Sequence, residues 1–194
     1  RRRRATELAT AGLAIRSPRG NVTLRNPPTV LAENLHEPYD VVLLSCKAYD
    51  LDGAIASFAP AVGPQTAILP LLNGMRHLDV LDTRFGRDRV LGGQCQIAVT
   101  LDHLNDDHAL SFGERDGALS DRVRAITTEM AGAAFDASAS KQILQDMWDK
   151  WVFLATLAGA TCLMRAAIGD IMRAPRGSEI VLGLLEETRR IAQA

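Results

Sequence analysis

The chain has 194 residues and a formal net charge of −1, with 47% hydrophobic and 23% charged residues, the make-up of an ordinary soluble globular protein of one to two domains. The balanced charge excludes any general attraction to nucleic acid or to an anionic membrane. No apolar run reaches the roughly 18 residues of a membrane-spanning helix and no signal peptide is visible, so a cytoplasmic protein is expected.

Residues 5–12 read as the end of a helix stopped by Gly12. Leu13–Ile15 and Val22–Leu24 flank Ser17-Pro18-Arg19-Gly20, a turn signal that predicts a β-hairpin. Val41–Leu44 is a continuous apolar run, typical of a strand covered on both faces. Leu51, Ile55 and Phe58 have helical spacing, ended by Pro60 and Gly63-Pro64. A strand over 67–72 follows, then Asn73-Gly74 as a turn and a helix carrying His77, Leu78 and Leu81. Val90-Leu91, Gln96–Thr100 and Leu110–Phe112 read as strands, with His103 and His108 in a polar loop between the last two. Gly113-Glu114-Arg115-Asp116-Gly117 is a polar turn, 119–133 a helix and 135–137 a short strand.

Alternation of strand and helix through residue 137 predicts an α/β fold with a doubly wound sheet. From Ser140 the pattern is helical only. Ile143, Leu144, Met147, Trp151, Leu154 and Leu157 form a broad apolar stripe, and a further helix follows the Pro175-Arg176-Gly177 break. The boundary is expected near residue 139, giving a sheet domain over 1–139 and a helical domain over 140–194. Cys46, Cys95 and Cys162 are widely spaced in apolar runs and read as buried free thiols, without disulfide or zinc spacing. The histidines form no metal-ligand pattern.

Ligands of open α/β sheets bind at the carboxyl ends of the strands. Lys47 and Asn73-Gly74 both follow strands. Lysine there holds a phosphate or carboxylate as a point charge, and asparagine offers a donor and an acceptor. The plainer readings are a surface lysine at a helix start and a simple turn. Lys150 lies on the stripe that faces the core, between Trp148 and Trp151. Burying an ammonium unpaired is costly, and desolvation there favours release of its proton, as a general acid requires. The plainer reading is a lysine whose stem packs while its head reaches water. Arg1-Arg2-Arg3-Arg4 reads as a solvated helix start, a nucleic-acid or sorting patch, or a phosphate clamp. No glycine-rich dinucleotide or nucleotide loop and no nucleophile elbow is present.

Leu43-Leu44-Ser45-Cys46-Lys47-Ala48-Tyr49-Asp50, Leu69-Pro70-Leu71-Leu72-Asn73-Gly74, Val90-Leu91-Gly92-Gly93, Phe112-Gly113-Glu114-Arg115-Asp116-Gly117, Trp148-Asp149-Lys150-Trp151-Val152-Phe153 and Thr161-Cys162-Leu163-Met164-Arg165-Ala166 occur in this order. In order and spacing they resemble the ketopantoate reductase family (2-dehydropantoate 2-reductases), over nearly the whole chain. The resemblance implies a Rossmann domain that binds NADPH, a helical domain like the carboxyl-terminal domain of 6-phosphogluconate dehydrogenase, and a role in pantothenate biosynthesis. It implies that Lys47 and Asn73 border the cofactor, that Arg1 or Arg2 meets the adenosine 2′-phosphate, and that Lys150 protonates the reduced carbonyl of a 2-keto acid.

The sequence also departs from the family pattern. The family's first strand and glycine-rich loop would lie before residue 1, and its last helices after residue 194, so both ends look cut and the chain alone is expected to be inactive. Family members usually carry asparagines four and eight residues after the catalytic lysine, where this chain has Leu154 and Ala158. The first expectation is therefore NADPH-dependent reduction of 2-dehydropantoate or a related keto acid by a homodimer, with no nucleic acid, membrane or metal involved. The alternative is a non-catalytic truncated paralogue that keeps the core fold and self-associates.

Overall fold

The computed structural model describes residues 2–16, 20–99 and 104–194. Arg1, the Ser17-Pro18-Arg19 part of the expected turn, Thr100 and His103 lie outside the described residues. The chain divides into two compact units, 1–72 with 76–143, and 73–75 with 144–194.

The first unit opens with α1 (Arg2–Ala11), which buries no residue. Gly12 ends it at φ 73°, and a Cβ there would lie 2.5 Å from the Leu24 carbonyl oxygen. That close approach lets β1 (Leu13–Ile15) and β2 (Val22–Leu24) pair antiparallel, Leu13 opposite Leu24. The hairpin forms its own two-stranded sheet.

β3 (Val41–Leu44) pairs parallel with β4 (Ala67–Pro70), Val41 opposite Ala67, and α2 (Leu51–Phe58) connects them. α3 (Arg76–Phe85) leads on from β4 to Val90, which bridges Ile68 in parallel. β5 (Gly92–Val99) then turns back into β6 (Leu104–Gly113), an antiparallel pair. α4 (Asp121–Met130) carries the chain to β7 (Asp136–Ala139), parallel to β6. This is the expected α/β fold. Its core joins Leu69, Leu110 and Phe112 of the strands, with Leu91 just before β5, to Val123 and Ile126 of α4. Full burial of a side chain such as Phe112 contributes about 1.5–3 kcal/mol.

The structure corrects several sequence expectations. Val90-Leu91 is not a separate strand, because β5 starts at Gly92. Residues 104–109, expected as loop, belong to β6, with His108 opposite Ile97. Leu104, His108 and Ala109 pair with Val99, Ile97 and Gln96 of β5, with an irregularity in register between Ile97 and Val99, and that pairing overrides the weak strand propensity of Asn and Asp. β4 ends at Pro70 rather than Leu72. The helix expected over 119–133 is confined to Asp121–Met130, its start fixed by Ser120 Oγ accepting from the Val123 amide. Nor is β3 covered on both faces: Leu43 is half exposed.

The second unit is helical in 144–194, as expected. α5 (Ile143–Met164) runs for 22 residues, beginning at the last residue of the first unit. α6 (Ile168–Arg173) and α7 (Gly177–Gln193) follow. Ala160 and Ile171 are buried. Thr156 is buried too, and its hydroxyl shares a 2.9 Å hydrogen bond with that of Thr188, tying α5 to α7. No helix among the described residues is long and apolar enough to cross a membrane.

Candidate functional site

Lys150 sits on α5, half-buried, three residues after the buried Met147. That spacing puts both on one helix face. Trp148 and Trp151 precede and follow it in sequence, and their rings meet each other edge to face at 5.5 Å and 86°. The turn at 73–75 packs against the same helix. Gly74 takes φ 85°, and a Cβ added to it would lie 3.7 Å from Trp151 Cδ1. The indole thus rests on nearly bare backbone, one residue along from Lys150. Asn73, next to Gly74, is exposed. Leu154 is half-buried and Ala158 exposed, one and two turns beyond Lys150 on the same face. Neither offers a side-chain hydrogen bond.

Lys47 lies in the first unit, exposed, just past the carboxyl end of β3. Its backbone is extended, φ −79° and ψ 153°, and its carbonyl accepts from the Asp50 amide at 2.9 Å, closing the short turn into α2. Cys46 beside it is half-buried, and burial, with a smaller contribution from Asp50, pushes its thiol pKa up. Arg2, also in the first unit, is paired with Glu33 at 2.6 Å with both groups largely exposed. Arg3 and Arg4 both reach Glu7. Exposed pairs of this kind contribute about 0–1 kcal/mol, so an incoming anion can displace them. Asn73 and Lys150 therefore share one unit, while Lys47 and Arg2 belong to the other.

Sequence reasoning missed a charged network around the turn at 113–117. Arg115, its side chain 6% exposed, donates to Asp82 of α3 at 2.6 Å and to the Arg87 carbonyl at 3.2 Å. Glu114 accepts two hydrogen bonds from Arg122, each 2.6 Å, and one from Ser120 Oγ at 2.6 Å. The Arg122 hydrogen bond leads the causes that hold the Glu114 carboxyl below its usual range. Arg122 also donates to the Asp88 carbonyl at 2.5 Å. The segment read as a polar turn is a clamp joining β6, α3 and α4. His77 is buried on α3, and burial, then the Arg115 cation, lower its pKa to about 4. The signal for it lay in the sequence, since His77 falls beside Leu78 on the apolar side of that helix. Among the described residues no group of His, Cys, Asp and Glu side chains could hold a metal ion.

The chain is 33% identical over 193 residues to the uncharacterized oxidoreductase YkpB of Bacillus subtilis, covering 96% of this chain and 63% of that protein. It is 23% identical over 160 residues to a 2-dehydropantoate 2-reductase of Streptococcus pyogenes, covering 80% of this chain and 52% of that one. The chain thus spans between half and two thirds of the length of these curated relatives. The crystal structure of 2-dehydropantoate 2-reductase from Geobacter metallireducens superposes with a TM-score of 0.80 at 22% identity, covering 96% of this chain and 64% of that one, a likeness of fold. The family model described as ketopantoate reductase PanE/ApbA matches residues 1–116, and the model of its C-terminal part matches residues 142–194. With both family models matched in order along its length, the chain belongs to the ketopantoate reductase PanE/ApbA family.

Proposed function

We propose that this chain forms the cofactor-binding and proton-donating part of an NADPH-dependent reductase of 2-keto acids, acting on 2-dehydropantoate or a related keto acid. In this reading residues 1–139 form the dinucleotide-binding domain and residues 140–194 the start of the helical domain. The observation that carries it is Lys150, half-buried on α5 next to Trp151, the indole that packs on the Asn73-Gly74 turn.

The residues present fit a dinucleotide. Lys47 is an exposed cation at the carboxyl end of a parallel strand, where ligands of open α/β sheets bind. When bound, the dinucleotide supplies the hydride. Lys47 offers a point charge to its anionic groups, and the Asn73 amide offers both a donor and an acceptor. Arg2, with Arg1, receives the 2′-phosphate that distinguishes NADPH from NADH, exchanging Glu33 for it. Lys150 donates a proton to the carbonyl oxygen of the keto acid as negative charge builds there.

The test is Lys150→Ala in a full-length version of the protein, assayed by NADPH oxidation with a panel of 2-keto acids. Loss of a positioned acid costs about 10²–10⁴-fold in turnover, while calorimetric NADPH affinity stays as it was. Full activity in the variant overturns the assignment. A second reading, a non-catalytic paralogue that self-associates, is favoured by one observation. Phe153 and Leu182 are each 61% exposed and Leu163 is 70% exposed, apolar surface of the sort that partners cover.

A further inference from the structure

Two buried side-chain atoms have no hydrogen-bond partner among the described residues, His77 Nε2 and Gln94 Oε1. His77 is 4% exposed and Gln94 5%. Neither group belongs to the proposed reaction. A buried polar atom without a partner carries its full desolvation penalty, so each calls for something to bond.

The topology brings the two together. Along β5, Gly93 abuts Leu69 and Gly92 abuts Ile143, so Gln94 shares the Gly92 face. Val90 is on that face as well. Val123 and Ile126 of α4 cover the opposite face, with Leu69, Leu91 and Phe112, and α3, whose Leu78 and Leu81 are buried, joins β4 to Val90 by a parallel crossover whose right-handed form puts it on the Val90–Gln94 side. The level along the sheet agrees. Gly92 pairs with Gly113, and the turn that starts there is tied to α3 by Arg115 and Asp82. Gln94 lies two residues beyond Gly92, about 7 Å along the strand. His77 lies five residues before Asp82, about 7.5 Å back along the helix. α3 joins two parallel segments, β4 and Val90, and so runs opposite to them. The two offsets therefore point the same way and match in length.

We propose that His77 and Gln94 line one small internal polar pocket and share a bound water that bridges Nε2 and Oε1. A water has two hydrogens and two lone pairs. It can donate to the amide oxygen and still satisfy Nε2 in either neutral tautomer. The bridge fixes the first turn of α3, the segment that continues from Asn73, to β5. Burial keeps His77 neutral, as such a bridge requires.

The decisive experiment is a double-mutant cycle in the full chain with His77→Leu and Gln94→Leu, read by chemical denaturation. Each single change strands the water on one partner and lowers the folding equilibrium constant about tenfold. The double variant loses less than the product of the two, by about tenfold. Independent, multiplicative effects overturn the proposal. Should a variant fail to fold, a high-resolution crystal structure of the unaltered protein decides. One water within hydrogen-bond distance of both atoms is expected, whereas a dry pocket or two separate waters refutes the bridge.

Discussion

Acidification tests the burial of His77 directly. An exposed imidazole titrates near 6.5, and in the folded chain burial and Arg115 lower His77 to about 4, opposed only by the smaller attraction of Asp79. The unfolded chain therefore binds a proton that the folded chain refuses across this window. The stability from neutral His77 is fully present above pH 6.5 and is lost as pH falls toward 4. Each pH unit inside the window is worth about 1.4 kcal/mol, so the loss from pH 7 to pH 5 is about 2 kcal/mol and reaches about 3 by pH 4. Urea denaturation followed by tryptophan fluorescence at half-unit steps from pH 7.5 to 4.5 measures it. His77→Leu carries no such group, and its stability is flat by comparison between pH 7 and 5. If unaltered protein and variant lose stability with the same slope there, His77 is not buried neutral and the reasoning fails. The comparison is made between pH 7 and 5 because Glu114, held low by Arg122, begins to lose its own stabilisation as pH falls through the ordinary carboxyl value of 4.5.

Arg122→Ala leaves Glu114, 14% exposed in its side chain, without its two charge-assisted hydrogen bonds, and a loss of about 2–3 kcal/mol is expected. Arg122→Lys recovers only part of it because the paired geometry is gone, and a loss under about 0.5 kcal/mol in the alanine variant contradicts the clamp. In the proposed reductase, Leu154→Asn with Ala158→Asn raises kcat/KM for 2-dehydropantoate about tenfold or more by adding one or two hydrogen bonds to a polar substrate. An unchanged preference across a panel of 2-keto acids shows that these positions do not set specificity. The exposed Phe153, Leu163 and Leu182 predict a dimer or larger assembly by light scattering, and a monomer at micromolar concentration goes against it.

The parts of the fold legible in the sequence are those where side-chain pattern and backbone agree. Val41–Leu44, Leu51–Phe58 and Leu13–Ile15 carry apolar runs or periods bounded by Gly and Pro, and they form within a residue of expectation. Strand β6 is different. Its first half holds Asn105, Asp106 and Asp107, residue types of weak strand propensity, while the pairing of Leu104 and His108 with β5 on either side of them is a property of two segments at once. The clamp was illegible for a related reason. Arg115 meets Asp82 across 33 positions and Arg122 meets Asp88 across 34, and no local pattern announces such pairs. Of the candidate site, Lys150 stood out because a charge on an apolar helical stripe is a local anomaly. The packing of Gly74 on Trp151 was not readable, since it joins a turn to a helix about 75 residues later.

Gly92 and Gly93 give β5 an unusual tolerance to change. In most strands substitution scans alternate, with one face strict and the other permissive. Here a side chain at 92 would meet Ile143 Cγ2 at 2.7 Å, and one at 93 would meet the Pro70 carbonyl oxygen at 2.7 Å as well as Leu69. Both faces are closed at successive positions, so a side chain at either of these two neighbouring residues, alanine included, forces its surroundings to shift. A library built on this scaffold should leave Gly92 and Gly93 as they are.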